Sequence, residues 1–435
     1  MEPWNQPLPI KKMLWVFIAL FAVALAFYLY FAQFPTMTYW DESIYVNASR
    51  AYLSSHKPYP NPEHPLLGKQ LIAAGIRMFG DGPIGWRFSS TCFGAFSISL
   101  IAYLVWLLTE RPKLAVFCAL LVLFSDPLLF VHFRMGLLDP PLIALFLLSA
   151  ALAIHFYLSP GVGWGKVLGL GVTLGLALSV KLLTLFIMPL CLGLVWLKLR
   201  GEKKLVSGWW KAGLLLLALP VLIVVLGYLA QGYTVKEAVD LLIFNFKWHS
   251  TAKSMDIITS RWYEWLYIGN PLWYFTRPFG EGKFEAMLAT GNLILWIGAE
   301  LLALYAVIRY RKRPEIIFLA LMILAQFGVY IRKPHTYIHY MTEIIPFFYV
   351  LMGAGIGDLF DRYEDRYRRI LQIDFAVYGI LCFAVFVNYW PYVAGKPLTT
   401  EQMKATPTFK NIPLSTMKTS SQTLPASPTP KATPQ

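Results

Sequence analysis

Apolar residues fall along this chain in runs of about twenty, separated by short clusters rich in Lys, Arg, Pro and Gly. A bilayer core of about 30 Å needs roughly 20 apolar residues for each helical crossing. On that measure, spans are predicted near residues 13–33, 84–108, 114–130, 140–158, 212–230, 290–308, 315–330, 339–357 and 371–389. The run from Val167 to Leu197 is harder to place. As one helix it would extend about 46 Å, too long for one crossing and short for two. Lys166 before it and Lys198, Arg200, Lys203 and Lys204 after it favour the same side of a membrane, so the chain should cross twice and turn near Ser179-Val180-Lys181. The pattern therefore predicts an all-α integral membrane protein of about 11 transmembrane helices. Two further helices, Glu42 to Leu53 and Leu66 to Phe79, are expected in the first outer loop. Leu67, Leu71, Ile72 and Ile76 give the second an apolar stripe suited to the membrane interface.

Composition agrees with this reading and narrows it. Hydrophobic residues are 57% of the chain and charged ones 14%, outside the balance of a soluble domain. The net charge of +14 resides largely in short loops, where Lys and Arg set orientation, so a nucleic-acid partner is rejected. Arg111, Lys113, Arg309 to Arg313 and Arg362 to Arg369 read as cytoplasmic, which places the N-terminus inside and the C-terminus outside a plasma membrane. Residues 13–33 carry no small-residue cleavage site and read as a retained anchor. The four cysteines lie within apolar runs, with no disulfide framework or zinc spacing. Residues 1–395 form the expected membrane domain. Residues 396–435 read as a Pro/Thr/Ser-rich disordered tail, similar in composition to an O-glycosylated stalk.

Ionisable groups collect at the outer ends of the spans: Asp41, Glu42, His64, Lys69, Arg134, Asp139, Lys181, His249, Arg261, Arg332, Lys333, His335 and His339. Charges at membrane depth are costly unless they face water or a cavity, so this set points to a chamber handling an anion and a proton. Each member also has a structural reading. Asp41 fits the N-cap of the first loop helix, and Asp139 before Pro140 fits another. Arg134 fits a cation snorkelling to headgroups. Lys181 fits a re-entrant turn, and Lys333 to Tyr340 fit an interfacial aromatic belt. No Gly-rich phosphate loop, HExxH or Asp-x-Asp pair is present, so neither a metal nor a nucleotide-sugar site is signalled.

Several of these residues stand in motifs. Asp41-Glu42, then His64-Pro65-Leu66-Leu67-Gly68-Lys69, then Arg134-Met135-Gly136-Leu137-Leu138-Asp139, then Trp262-Tyr263-Glu264-Trp265 followed by Gly291-Asn292, resemble the ordered motifs of the protein O-mannosyltransferase family. That family belongs to the GT-C superfamily of polyprenyl-phosphate-sugar glycosyltransferases. The outer stretch 231–289 is too short for the β-trefoil MIR domain of eukaryotic members, which suggests a prokaryotic type. The resemblance implies a polyprenyl-phosphate-mannose donor and an exported protein's Ser/Thr hydroxyl as acceptor, with no cofactor or metal. It makes Asp41 the general base of an inverting displacement, with Glu42 beside it. Arg134 would bind the donor phosphate, helped by Lys69, Lys333 and His335. His64, Asp139, Lys181, Trp262 and His339 would line the cavity. Two other readings remain open. One is a transferase of another lipid-linked sugar or a lipid acceptor, such as the aminoarabinose transferases. The other is a secondary transporter, which would place charges near the midplane of paired halves.

Overall fold

The computed structural model describes residues 10–54, 59–251, 259–278, 283–331, 333, 336–363, 365–399 and 401–402. His335 and residues 403–435, most of the expected tail, lie outside the described residues. The chain opens with α1 (Ile10–Ala32), an apolar helix that packs along α4 (Pro83–Thr109). Between them lie the two loop helices, α2 (Asp41–Leu53) and α3 (Leu67–Phe79), close to the expected bounds. Ser49 joins them by donating to the Lys69 carbonyl at 2.9 Å. Asp41 is the first residue of α2 and does not cap it. Trp40 occupies the N-cap position without a side-chain cap bond. Asp139 likewise opens its helix, with Leu138 at the N-cap position.

The expected span at 114–130 is divided into α5 (Pro112–Ser125) and α6 (Pro127–His132). Asp126-Pro127 makes the break. Pro lacks an N–H to continue the ladder, and the Asp126 side chain caps α6 by accepting from the Leu129 amide at 2.9 Å. The same carboxylate, fully buried, accepts from the Trp296 indole at 3.1 Å and from the Tyr349 hydroxyl.

Next come α7 (Asp139–Leu158), α8 (Trp164–Leu178) and α9 (Thr184–Gly201). The turn between α8 and α9 is tied to the start of α3, where the Leu67 amide donates to the Ser179 carbonyl at 3.0 Å. Helices α10 (Leu205–Gly213) and α11 (Leu219–Ala230) join through a π-helical turn, Leu214–Ala218, just ahead of Pro220. Helix α12 (Val235–Thr251), in the stretch expected outside the membrane, follows.

The outer stretch departs from the all-helical expectation. Strand β1 (Leu272–Pro278) pairs antiparallel with β2 (Lys283–Ala289), and Leu398–Thr399, as β3, adds to the β2 edge. These strands are rich in aromatic and apolar residues, which fit a half-buried pleated surface but are also helix-compatible in so apolar a chain. The register slips between Trp273 and Phe275, leaving Tyr274 in a bulge.

The bundle is completed by α13 (Leu293–Arg309), α14 (Pro314–Tyr330), α15 (Met341–Arg362) and α16 (Asp365–Val393). Asn292 caps α13 and donates to the Ser125 and Cys382 carbonyls at 2.8 Å each. Among the described residues, seven helices are long and apolar enough to cross a membrane, with Pro112–Ser125, Trp164–Leu178 and Pro314–Tyr330 as shorter apolar helices. The protein is a multi-pass membrane protein, and these lengths do not by themselves establish the figure of 11.

Polar groups separate toward the two ends of the bundle. At the end read as cytoplasmic, Asp358 pairs with Arg309 at 3.2 Å and Arg362 at 2.9 Å, and Arg111 pairs with Asp361. The opposite end holds the candidate site.

Candidate active site

The motif residues sort into a buried foundation and, in front of it, a charged cluster where the chamber is expected. In the foundation, both carboxylate oxygens of Glu42 meet the Arg87 guanidinium, at 2.7 and 2.8 Å, with both side chains fully buried. Arg87 also donates to the carbonyls of Ala32, Pro35 and Met37, so α4 grips the whole connection from α1 to α2. Glu42 accepts a third bond, 2.7 Å from the Gly136 amide. A Cβ at position 136 would come within 2.7 Å of the Trp86 carbonyl oxygen, so only glycine allows that approach.

Arg134 belongs to this layer too. It is 1% exposed and does not snorkel. Its terminal nitrogens donate to the carbonyls of Phe31 (3.0 Å), Phe34 (2.7 Å) and Val393, and its guanidinium lies 4.6 Å from the Phe130 ring centroid. A buried guanidinium demands such partners. Here the backbone, and not an open phosphate site, supplies them. Lys69 is similarly engaged: it donates to the Asn61 carbonyl at 2.5 Å and the His64 carbonyl at 2.8 Å, and burial pulls its ammonium down to about 7.

The cluster draws on the first turns of α2, α7 and α15 and on the α8–α9 turn. Lys181 is its centre, donating to Asp139 at 2.6 Å and Glu343 at 2.8 Å. Burial opposes its charge, but the two carboxylates outweigh that penalty and hold the ammonium above its ordinary range. Tyr330 donates to the other Glu343 oxygen at 3.2 Å. Asp41, half-buried, acts electrostatically on the phenols of Tyr45, Tyr274 and Tyr340, and Lys181 acts on the last of these as well. His64 lies 4.9 Å from the His249 ring, and burial followed by His249 and Lys181 keeps its imidazole well below the usual value. Lys333 sits 5.8 Å over the Tyr330 ring, within electrostatic reach of Glu343 and Lys181.

Thus Asp41, His64, Asp139, Lys181, Lys333 and His339 come together, while Glu42, Arg134 and Lys69 lie in the structural ties around them. Trp262 stands apart, its ring against Phe327 at 5.8 Å. Trp265 instead backs the chamber through Tyr330 at 5.3 Å and Tyr340 at 6.1 Å. Sequence reasoning passed over Glu343, His132 and Tyr274. A carboxylate within an apolar span was the available signal for Glu343. Tyr274 had none, because its position depends on the bulge. Replacing Lys181 by Met should leave Asp139 and Glu343 facing each other unneutralised, at a cost of about 3–5 kcal/mol. Thermal melts of the detergent-purified protein should show the loss, with partial recovery when Glu343→Gln is added; an unchanged melt would mean that Lys181 neutralises neither carboxylate.

The backbone ahead of Asp41 is strained. Trp40 has φ 50° and ψ −141°, a region that non-glycine residues rarely adopt, at a cost of about 1–3 kcal/mol. Its ring is held against Tyr274 at 5.3 Å and Tyr337 at 5.9 Å.

The multi-span bundle, with its charged cluster at one end and its short helical first loop, has the fold of membrane glycosyltransferases of the GT-C type. The fold matches that of the S. cerevisiae protein O-mannosyltransferase Pmt1-Pmt2 complex bound to the sugar donor, with TM-score 0.76 and 11% identity over 93% of both chains. ArnT from Cupriavidus metallidurans bound to undecaprenyl phosphate matches with TM-score 0.60 and 19% identity; the alignment covers 83% of this chain and 63% of that one. The profile of the dolichyl-phosphate-mannose-protein mannosyltransferase family matches residues 16–235, and the chain belongs to that family. The polyprenol-phosphate-mannose--protein mannosyltransferase of Corynebacterium glutamicum is 25% identical over 394 residues, 73% of this chain and 75% of that protein. Its Mycobacterium tuberculosis namesake is 32% identical over 104 residues, 23% of this chain and 20% of that protein.

Proposed function

We propose that this protein transfers mannose from a polyprenyl-phosphate carrier to a Ser or Thr hydroxyl of an exported protein, with inversion at the anomeric carbon. The acceptor oxygen attacks the sugar C1 as the C1–phosphate oxygen bond breaks, and its proton passes to Asp41. The leaving group is a lipid phosphate monoester with a second pKa of about 6, so it departs without a protonating acid if cations meet its growing charge. Lys333 and His335 are the residues we assign to that charge. Lys181 contributes positive potential while positioning Asp139 and Glu343, and Arg134, Lys69 and Glu42 support the site from behind. The chamber opens on the extracytoplasmic face of the plasma membrane, opposite the Arg-rich end.

The observation that supports this reading is the cluster in which Lys181 meets Asp139 at 2.6 Å and Glu343 at 2.8 Å, with Tyr330 on Glu343 and Tyr340 stacked on Tyr330 at 4.7 Å, where the charge of Asp41 is also felt. Membranes given radiolabelled polyprenyl-phosphate mannose should incorporate label into protein, released by β-elimination. Label entering lipid instead would favour the aminoarabinose-transferase-like alternative, and label found only as free sugar would overturn acceptor transfer.

A further inference from the structure

The chamber has an aromatic corner that the proton and phosphate chemistry does not use. Trp40 and Tyr337, both half-buried, meet at 82° with ring centroids 5.9 Å apart. Each has a second ring behind it. Tyr274 lies 33° from Trp40 at 5.3 Å, and His339 stacks on Tyr337 at 9° and 5.3 Å. The backing rings are themselves anchored. Tyr274 occupies the bulge of the β1–β2 hairpin, a device that re-aims a side chain, and its hydroxyl lies 2.6 Å from His132 Nε2. His132 and His339 are 1% and 6% exposed, yet their Nδ1 atoms have no hydrogen-bond partner among the described residues. Those atoms are enclosed by protein, and the two imidazole rings, 5.9 Å apart, form the packing behind Tyr274 and Tyr337.

We propose that Trp40 and Tyr337 form the subsite for the sugar ring of the lipid-linked donor, with Tyr274, fixed by His132, setting the tilt of Trp40. This rests on the donor reading above. A pyranose offers a flat C–H face to aromatic surface, which suits two half-buried rings that meet at 82° next to the Asp41 carboxylate. A Ser or Thr side chain offers at most a methyl group and has no use for a two-walled corner. The strained Trp40 backbone places one wall directly beside Asp41, so a sugar lying there would present C1 to the activated acceptor.

The test uses the full-length enzyme in lipid nanodiscs with polyprenyl-phosphate mannose as substrate and sugar-free polyprenyl phosphate as competitor. Trp40→Ala and Tyr337→Ala should each raise KM for the donor about fivefold to tenfold while inhibition by the sugar-free carrier stays unchanged. Trp40→Phe should recover most of the loss, and Tyr274→Phe should raise donor KM with a smaller change in kcat. Equal weakening of donor and sugar-free carrier would reduce the corner to scaffold and overturn the proposal. A rise confined to acceptor KM would assign it to the acceptor and also overturn it. If the parent enzyme transfers no mannose, the activity reading fails by itself. The corner is then read from direct binding of sugar-bearing against sugar-free carrier, and a preference unchanged by Trp40→Ala would overturn it.

Discussion

Replacing Asp41 by Asn is expected to reduce mannose transfer by about 10²- to 10⁴-fold, the range over which a positioned general base contributes. The amide keeps the size and much of the hydrogen bonding of the carboxylate but cannot take the acceptor proton. Asp41 opens α2 without capping it, so the helix loses no cap bond and the variant should reach the membrane in normal amount. Initial rates in purified membranes at saturating donor, normalised to protein level, measure the effect. A variant with near-parental rate would remove Asp41 from the chemistry and leave its position beside Tyr45, Tyr274 and Tyr340 unexplained.

Arg87→Met should destabilise the protein by about 3–5 kcal/mol, because it leaves the Glu42 carboxylate buried without its counter-charge. It also releases three carbonyls that hold the connection between α1 and α2. Detergent-purified protein should show a lowered melting temperature and faster proteolysis of the first loop. Adding Glu42→Gln removes the stranded charge and should recover part of the loss. A single variant melting like the parent would show that the pair contributes little.

The longer spans were legible because a bilayer sets their length, and the division of Val167 to Leu197 into two helices followed from charge on its flanks. The first-loop helices were legible from apolar spacing. The break at Asp126 was not, since a carboxylate in an apolar run looks like an exception until its three partners are known. The hairpin escaped because, within the stretch 231–289, residues 272–275 and 286–289 are short all-apolar runs without the alternation that marks a strand. Within the site, residue type showed which groups carry charge but not what neutralises them. Arg134 and Glu42 read as site groups by residue type, but neighbours far along the chain, Arg87 for Glu42 and the Val393 carbonyl for Arg134, make them part of the packing.

The Asp126 junction also bears on how the protein is made. Trp296 and Tyr349, two of the groups that satisfy this carboxylate, lie 170 and 223 positions downstream. When the segment from Pro112 to His132 first leaves the ribosome, neither exists, and an unpartnered acid in hydrocarbon is expensive. Residues 112–132 therefore have reason to wait at the insertion machinery, or in contact with water, until α13 and α15 arrive. The final docking of these early helices is thus a late event of biogenesis, completed only when most of the chain has been translated.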